Sequence, residues 1–449
     1  MARRYDSVMA VEMPRDREIL RLALPALGAL IAEPLYVLGD TAIVGHLGTV
    51  PLAGLALGGL LVSEIFGFCT FLEYGTTARA ARLFGAGRQR EALDVGVQAT
   101  WLALGLGVAL IVAIEVIAGP AVRLLGGGDT AAAAQGVEWM RIAALGAPSV
   151  LVVAAAQGWL RGFQDTRTPL IVIGISNLVS IGLSALLIIG LGFGIEGSAI
   201  ANVAAQTGSA VLFLVLLVRR RAPLSPSFAR IRVQLAGARD LSVRTLAFFL
   251  AFTLATGVAA RLGTAQLAAQ QIGVQLWTFC ALFLDSTAIA AQALVGRLLG
   301  ASAESVAGAL ARRLLAAGTL LGCCFAFVLG VGHDLIPRIF SSDPAVLRQA
   351  AVLWPWLVIM MPAAGYVFAL DGVLFGAGDL RFLRDVSIAG AMIGFVPLTL
   401  LTPVLDLGMN GIWAGLTAFV AVRLLLGWRR WRGRRWLVGG IATVDDLSA

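Results

Sequence analysis

The segment HLGTVPLAGLALG (residues 46–58) returns as RLGTAQLAAQQIG (residues 261–273), a shift of 215 positions. At the same shift Arg82, Leu83 and Gly85 meet Arg297, Leu298 and Gly300. At a shift of 214, Pro148 meets Pro362, Gly158 and Gly162 meet Gly372 and Gly376, and Asp165 and Arg167 meet Asp379 and Arg381. GIEG (194–197) then meets GMNG (408–411). Runs of Ala and Leu match by composition, but Thr49 with Thr264 and Arg82 with Arg297 do not. Self-similarity of this kind decides the architecture before any single element does. The chain is a duplicated unit.

Composition places that unit in a membrane. Of 449 residues 59% are apolar and 13% charged, a balance foreign to soluble domains. Apolar runs of about 20 residues or more, each able to cross a ~30 Å hydrocarbon core, recur between short Arg-, Gly- or Pro-bearing breaks. They predict twelve helices over 18–44, 52–84, 92–118, 136–160, 168–190, 196–218, 241–262, 265–299, 305–331, 346–375, 384–404 and 409–428. Each repeat then holds six helices. An even number makes both halves insert the same way up, related by an axis near the membrane normal. The expected organisation is a cytoplasmic tail (1–17), an amino-terminal lobe (18–218), a basic linker (219–240), a carboxy-terminal lobe (241–428) and a second cytoplasmic tail (429–449). The fold class is all-α and polytopic, two pseudo-twofold-related six-helix lobes facing a central cleft. Alternating-access carriers are built this way, one lobe rocking against the other.

Charge placement supports the topology. All 34 basic residues are Arg, and with the amino terminus inside, 29 fall on the cytoplasmic side and 5 outside. That skew puts both termini in the cytoplasm. The net charge of +8 therefore calls for no nucleic acid. RRRAPLSPSFARIR (219–232) and WRRWRGRRW (428–436) read as contacts with anionic headgroups. Met1–Arg17 is too charged for a cleaved signal peptide. Cys69, Cys280, Cys323 and Cys324 are scattered within expected helices and read as packing residues. His46 and His333 lack a second ligand at metal spacing, so no metal centre is expected. No clustered aspartates and no nucleophile with a base suggest an enzyme.

The first helix carries an acid that lipid disfavours. In EPLYVLGDTAIVGHLGT (33–49), Glu33, Tyr36 and Asp40 fall on one stripe about 60° wide. A carboxylate buried mid-helix costs on the order of 2.5–3.5 kcal/mol by insertion scales, so this face points into the lobe. Asp40 supplies the titratable group that ion coupling needs; a permanently hydrogen-bonded structural clip is the alternative. Pro34 removes a backbone hydrogen bond to the Leu30 carbonyl and permits a helix bend near the acid.

Polar partners stand at helical spacing in the same lobe. Ser176, Ser180 and Ser184 repeat every four residues on the fifth helix with Asn177 beside them, and Asn202, Gln206 and Ser209 follow i, i+4, i+7 on the sixth. Such groups solvate a proton carrier or sodium, or serve as interhelical glue. The carboxy-terminal repeat places Ala255 opposite Asp40. Its own acids, Asp285 and Asp371, oppose Thr70 and Gln157. Gln271, Gln275, Thr278 and Asp285 form one stripe on the eighth helix. Asp285 and Asp371 are candidates for a substrate or secondary-cation site, with a satisfied interhelical pair as the alternative. Trp277, Trp354, Trp356, Met360, Met361 and Tyr366 offer aromatic and thioether surface to an apolar cation, or pack the core. Glu64, Glu73 and Glu115 read as structural.

LALPALGALIAEPLYVLGDTAIVGHLGTVPLAGLALG (22–58), the ends RGFQDTRTP and FGAGDLRFL, LGFGIEGSAIANVAAQ (191–206) and the twofold repeat resemble the multidrug and toxic compound extrusion (MATE) family, nearest its bacterial DinF-like branch, named for the DNA-damage-inducible F protein. The resemblance covers residues 18–428. It implies a V-shaped pair of lobes in a bacterial inner membrane, acting as a monomer without cofactor. Small organic, often cationic compounds would leave against an inward proton or sodium flow. It implies that Asp40 is the coupling carboxylate, with Asn177 and Asn202 in the same cation site, where Na⁺ is the alternative to H⁺. One departure stands out: many relatives carry a second acid after that asparagine, whereas this chain has Ser180, Ile181 and Ser184. A lipid-linked oligosaccharide flippase of the same broad superfamily would line its cleft with several Arg for pyrophosphate. A major-facilitator carrier would show a Gly-Asp-Arg loop after its second helix, which RLFGAGRQRE lacks.

Overall fold

A computed structural model describes residues 12–125 and 130–440. The outermost parts of the expected tails, 1–11 and 441–449, lie outside the described residues. Among the described residues all regular structure is helical. The membrane helices are α1 (Asp16–Gly45), α2 (Thr49–Gly85), α3 (Gln89–Leu125), α4 (Thr130–Ala144 continued by Ala147–Gly162), α5 (Arg167–Gly190) and α6 (Ile195–Arg219). The second set is α7 (Phe228–Leu262), α8 (Thr264–Gly300), α9 (Glu304–Val331), α10 (Pro344–Ala377), α11 (Leu380–Leu401) and α12 (Gly408–Arg432). Among the described residues eleven are long and apolar enough to cross a membrane singly, or twelve when the two parts of α4 are taken as one bent span. The expectation of an all-α polytopic membrane protein holds.

Three local features depart from the sequence reading. α4 is not one straight helix but turns by 54° between Ala144 and Ala147. Pro148 follows directly, and a helix cannot carry a hydrogen bond through its nitrogen. α5 and α11 each contain a π-helical turn, at Leu186–Gly190 and Gly390–Phe395. α7 begins at Phe228, inside the segment read as a basic linker. That segment is held by the amino-terminal helices: Arg230 pairs with Asp94 at 2.5 Å, and Trp101 donates to the Leu224 carbonyl at 2.8 Å.

The described residues divide into two compact units, Leu24–Ala238 and the residues from Arg239 on together with those before Leu24. In lipid, apolar burial does not drive helices together, so close packing of small residues must. The repeated glycines do this. A Cβ at Gly158 of α4 would lie 2.7 Å from the Glu73 carbonyl oxygen of α2, and one at Gly376 of α10 would lie 2.6 Å from the Gln292 carbonyl oxygen of α8. The glycines that align in the repeat are therefore among the points where backbones touch within each unit. The amino-terminal unit packs around Leu72, Val97, Leu151, Trp159 and Phe213, with a second cluster at Val44, Val62, Ile114 and Met140. The carboxy-terminal unit packs around Leu284, Leu353, Leu357, Met361, Phe395 and Trp413.

Candidate functional site

Asp40 lies on the face of α1 that meets α5 and α6, and is 3% exposed. Gly28 and Gly39 bring α1 close to α5, where Leu170 and Ile181 fill the space a side chain would take. Two hydroxyls close on the carboxylate. Ser184 of α5 donates to Oδ1 at 2.8 Å, and Ser198 of α6 donates to Oδ2 at 2.6 Å. Behind Ser198, the indole nitrogen of Trp139 on α4 donates to the serine oxygen at 3.1 Å. One turn before Asp40, the buried Tyr36 accepts at its hydroxyl from Asn202 of α6 at 2.7 Å.

The structure thus joins Asp40, Ser184, Tyr36 and Asn202 within one unit. Asn177 is adjacent but turned to the α1 backbone, donating to the Ala32 carbonyl at 3.0 Å. Ser176 ties α5 to the Ala205 carbonyl of α6 at 3.0 Å, the interhelical role weighed for these serines. Glu33 shares the stripe but is exposed, Gln206 is half-buried, and among the described residues neither has a hydrogen-bond partner. α1 runs unbroken through Pro25 and Pro34. Ser198 and Trp139 were missed by sequence reasoning. Ser198 lies one turn before Asn202 on the same stripe, a signal available in the spacing; Trp139 had none.

In the carboxy-terminal unit the expectations separate. Asp371 does not present a free carboxylate: Arg244 of α7 and Arg423 of α12 both donate to its Oδ2, at 2.7 and 2.5 Å. The guanidinium groups lie 5.0 and 4.8 Å from the Phe248 ring centroid. Met361, offered as ligand surface, is wholly buried against Gly322 of α9 and belongs to the core. Trp354 is likewise buried, donating to the Leu329 carbonyl at 2.8 Å. Gln271, Gln275 and Thr278 follow one exposed face of α8 as their spacing requires, with Asp285 half-buried further along. Trp277 packs edge-on against Phe368 at 6.3 Å, and Tyr366 is half-buried. Glu73 is paired with Arg161, and Glu115 with Arg141 at 3.0 Å, the structural roles expected of both. Among the described residues no group of three or more His, Cys, Asp or Glu could hold a metal ion.

The family model described as MatE matches residues 25–186 and 241–400. The chain belongs to the MatE family. Its MatE relatives include the DNA damage-inducible protein F of Escherichia coli K12, 32% identical over 442 residues and spanning 95% of either chain. The probable multidrug resistance protein NorM of Thermotoga maritima is 23% identical over 454 residues, spanning 97% of each. A crystal structure of MATE in the bent conformation matches with a TM-score of 0.86 at 20% identity, over 93% of this chain and 95% of that one. MatE proteins are transporters and not enzymes, and this one is a multi-pass membrane protein.

Proposed function

We propose that this MatE protein is a secondary active antiporter that exports drug-like, cationic or amphiphilic organic compounds in exchange for inward protons, with Asp40 as the coupling carboxylate. One observation carries the reading. The buried aspartates among the described residues are Asp40, Asp94, Asp240, Asp371 and Asp379. Four of them are paired: Asp94 with Arg230, Asp240 with Arg384, Asp371 with Arg244 and Arg423, and Asp379 with Arg430. Asp40 alone among these has only neutral partners, two serine hydroxyls. A buried carboxylate with no compensating cation is costly, and such groups within membrane helices mark ion pathways and proton relays.

The reading takes protons over sodium. Asp40 is a single buried acid whose neighbours are neutral hydroxyls and an amide, and a lone carboxylate suffices to carry a proton. Drug-like substrates are supported by the multidrug resistance name of the NorM relative. The reading includes two six-helix lobes, 18–218 and 241–428, exposing a site alternately to each side. It also places the protein in the DinF-like branch, as a monomer in a bacterial inner membrane, with both termini cytoplasmic and no cofactor. The test is efflux of a fluorescent organic cation from proteoliposomes under a proton gradient and, separately, a sodium gradient. Efflux driven by protons without sodium is expected; efflux that runs only on sodium and ignores a protonophore at fixed potential overturns the choice of ion.

A further inference from the structure

We infer that Trp139 is a positioning residue for the coupling carboxylate: by donating to Ser198 it fixes that hydroxyl as a donor to Asp40 Oδ2, so that the proton is taken up on Oδ1, beside Ser184. The inference rests on Asp40 being the coupling group.

The argument is one of donor polarity. An indole N–H donates and never accepts. The Ser198 oxygen therefore receives Trp139, at 3.1 Å, and its single hydrogen goes to Asp40 Oδ2, at 2.6 Å. Hydrogen bonds in such a chain polarise one another, so the indole makes Ser198 a stronger donor than an isolated serine. Among the described residues Ser184 has no such donor behind it. It sits inside α5, where a serine hydroxyl can turn to the carbonyl four residues back. When Asp40 gains a proton, one hydroxyl must change from donor to acceptor. Ser184 can turn within its own helix while its oxygen accepts the new O–H. Ser198 keeps one lone pair, but its oxygen already receives the indole, which strengthens its O–H as a donor and leaves it the weaker acceptor of the two hydroxyls. The proton therefore bonds to Oδ1, and Oδ2 remains a carbonyl oxygen accepting from Ser198.

Among the described residues no charged group is bonded to Asp40. Glu33 is seven residues away on α1, and Tyr36 is engaged by Asn202. α5 and α6 present serines and asparagines; Glu196 at the start of α6 lies against Glu138 of α4, and Arg141 of α4 is paired with Glu115 of α3.

Infrared difference spectroscopy of the intact protein in lipid, between alkaline and acidic pH, tests this. The carboxylic C=O band absent from Asp40→Asn belongs to Asp40. Ser198→Ala should move that band to higher wavenumber, because its carbonyl loses an accepted hydrogen bond, and Ser184→Ala should move it less. Trp139→Phe, which keeps an aromatic ring and removes the N–H, should move it in the same direction as Ser198→Ala. Added to Ser198→Ala, it should move it no further. If Trp139→Phe leaves the band in place, or shifts it equally with and without Ser198, the role given to Trp139 is wrong. A larger shift in Ser184→Ala than in Ser198→Ala puts the proton on the other oxygen and overturns the inference. If no carboxylic band disappears in Asp40→Asn, Asp40 does not load a proton, and the coupling reading falls with it.

Discussion

Arg423 reaches Asp371 from α12 with its Nη2 2.5 Å from Oδ2, and the guanidinium is almost wholly buried, at 4% exposure. Arg244 shares the same oxygen, so two cations close on one anion inside the carboxy-terminal unit. An acid held this way neutralises buried charge in place.

Asp371→Asn is accordingly expected to act on stability. Removing one partner of a buried ion pair leaves charge uncompensated, at a cost of about 3–5 kcal/mol. Thermal unfolding of the purified protein in detergent should show a large loss. A mutant as stable as wild type with altered affinity for cations alone would return Asp371 to the substrate site.

The contact glycines give a second prediction. Gly158→Ala and Gly376→Ala each force a methyl group into a backbone carbonyl across a helix pair and should cost about 1–3 kcal/mol. Gly105→Ala points into open space and should be neutral or stabilise by about 0.5 kcal/mol. The same unfolding measurement ranks the three; equal effects would mean that the repeated glycines are not packing points.

The two units should differ electrostatically. Ala255, buried in α7, stands where Asp40 stands in the repeat, and the partners of Ser184 and Ser198 at a shift of 214 are Leu398 and Ile412. An acid at that place would lack the two serine hydroxyls that hold Asp40. Ala255→Asp is therefore expected not to restore export to Asp40→Asn. Asp285→Asn should weaken binding of cationic compounds several-fold more than of neutral ones while leaving the proton response intact, as read by competition binding at two pH values. Equal weakening of both classes would remove Asp285 from the substrate site.

The sequence held the architecture because duplication, apolar period and arginine skew are properties of long stretches. It held Asp40, Tyr36 and Asn202 because a polar group in an apolar helix is conspicuous, and helical spacing says which of them share a face. Contacts between helices were not legible. Trp139 looked like any aromatic in a membrane helix until α4 was placed beside α6. Arg423 precedes WRRWRGRRW by only a few residues, and nothing in linear order says that α12 carries it inward to Asp371. The turn in α4 was announced by Gly146 and Pro148, but apolarity across the break masked it.

The central claim, that Asp40 couples export to protons, is tested most directly by following proton movement and substrate efflux together in proteoliposomes carrying wild type or Asp40→Asn. The amide keeps the volume and can still hydrogen-bond, but it cannot take up a proton. Wild type should move protons inward as the compound leaves, and well-folded Asp40→Asn should lose both fluxes. Proton-linked efflux at wild-type rates in folded Asp40→Asn would contradict the account.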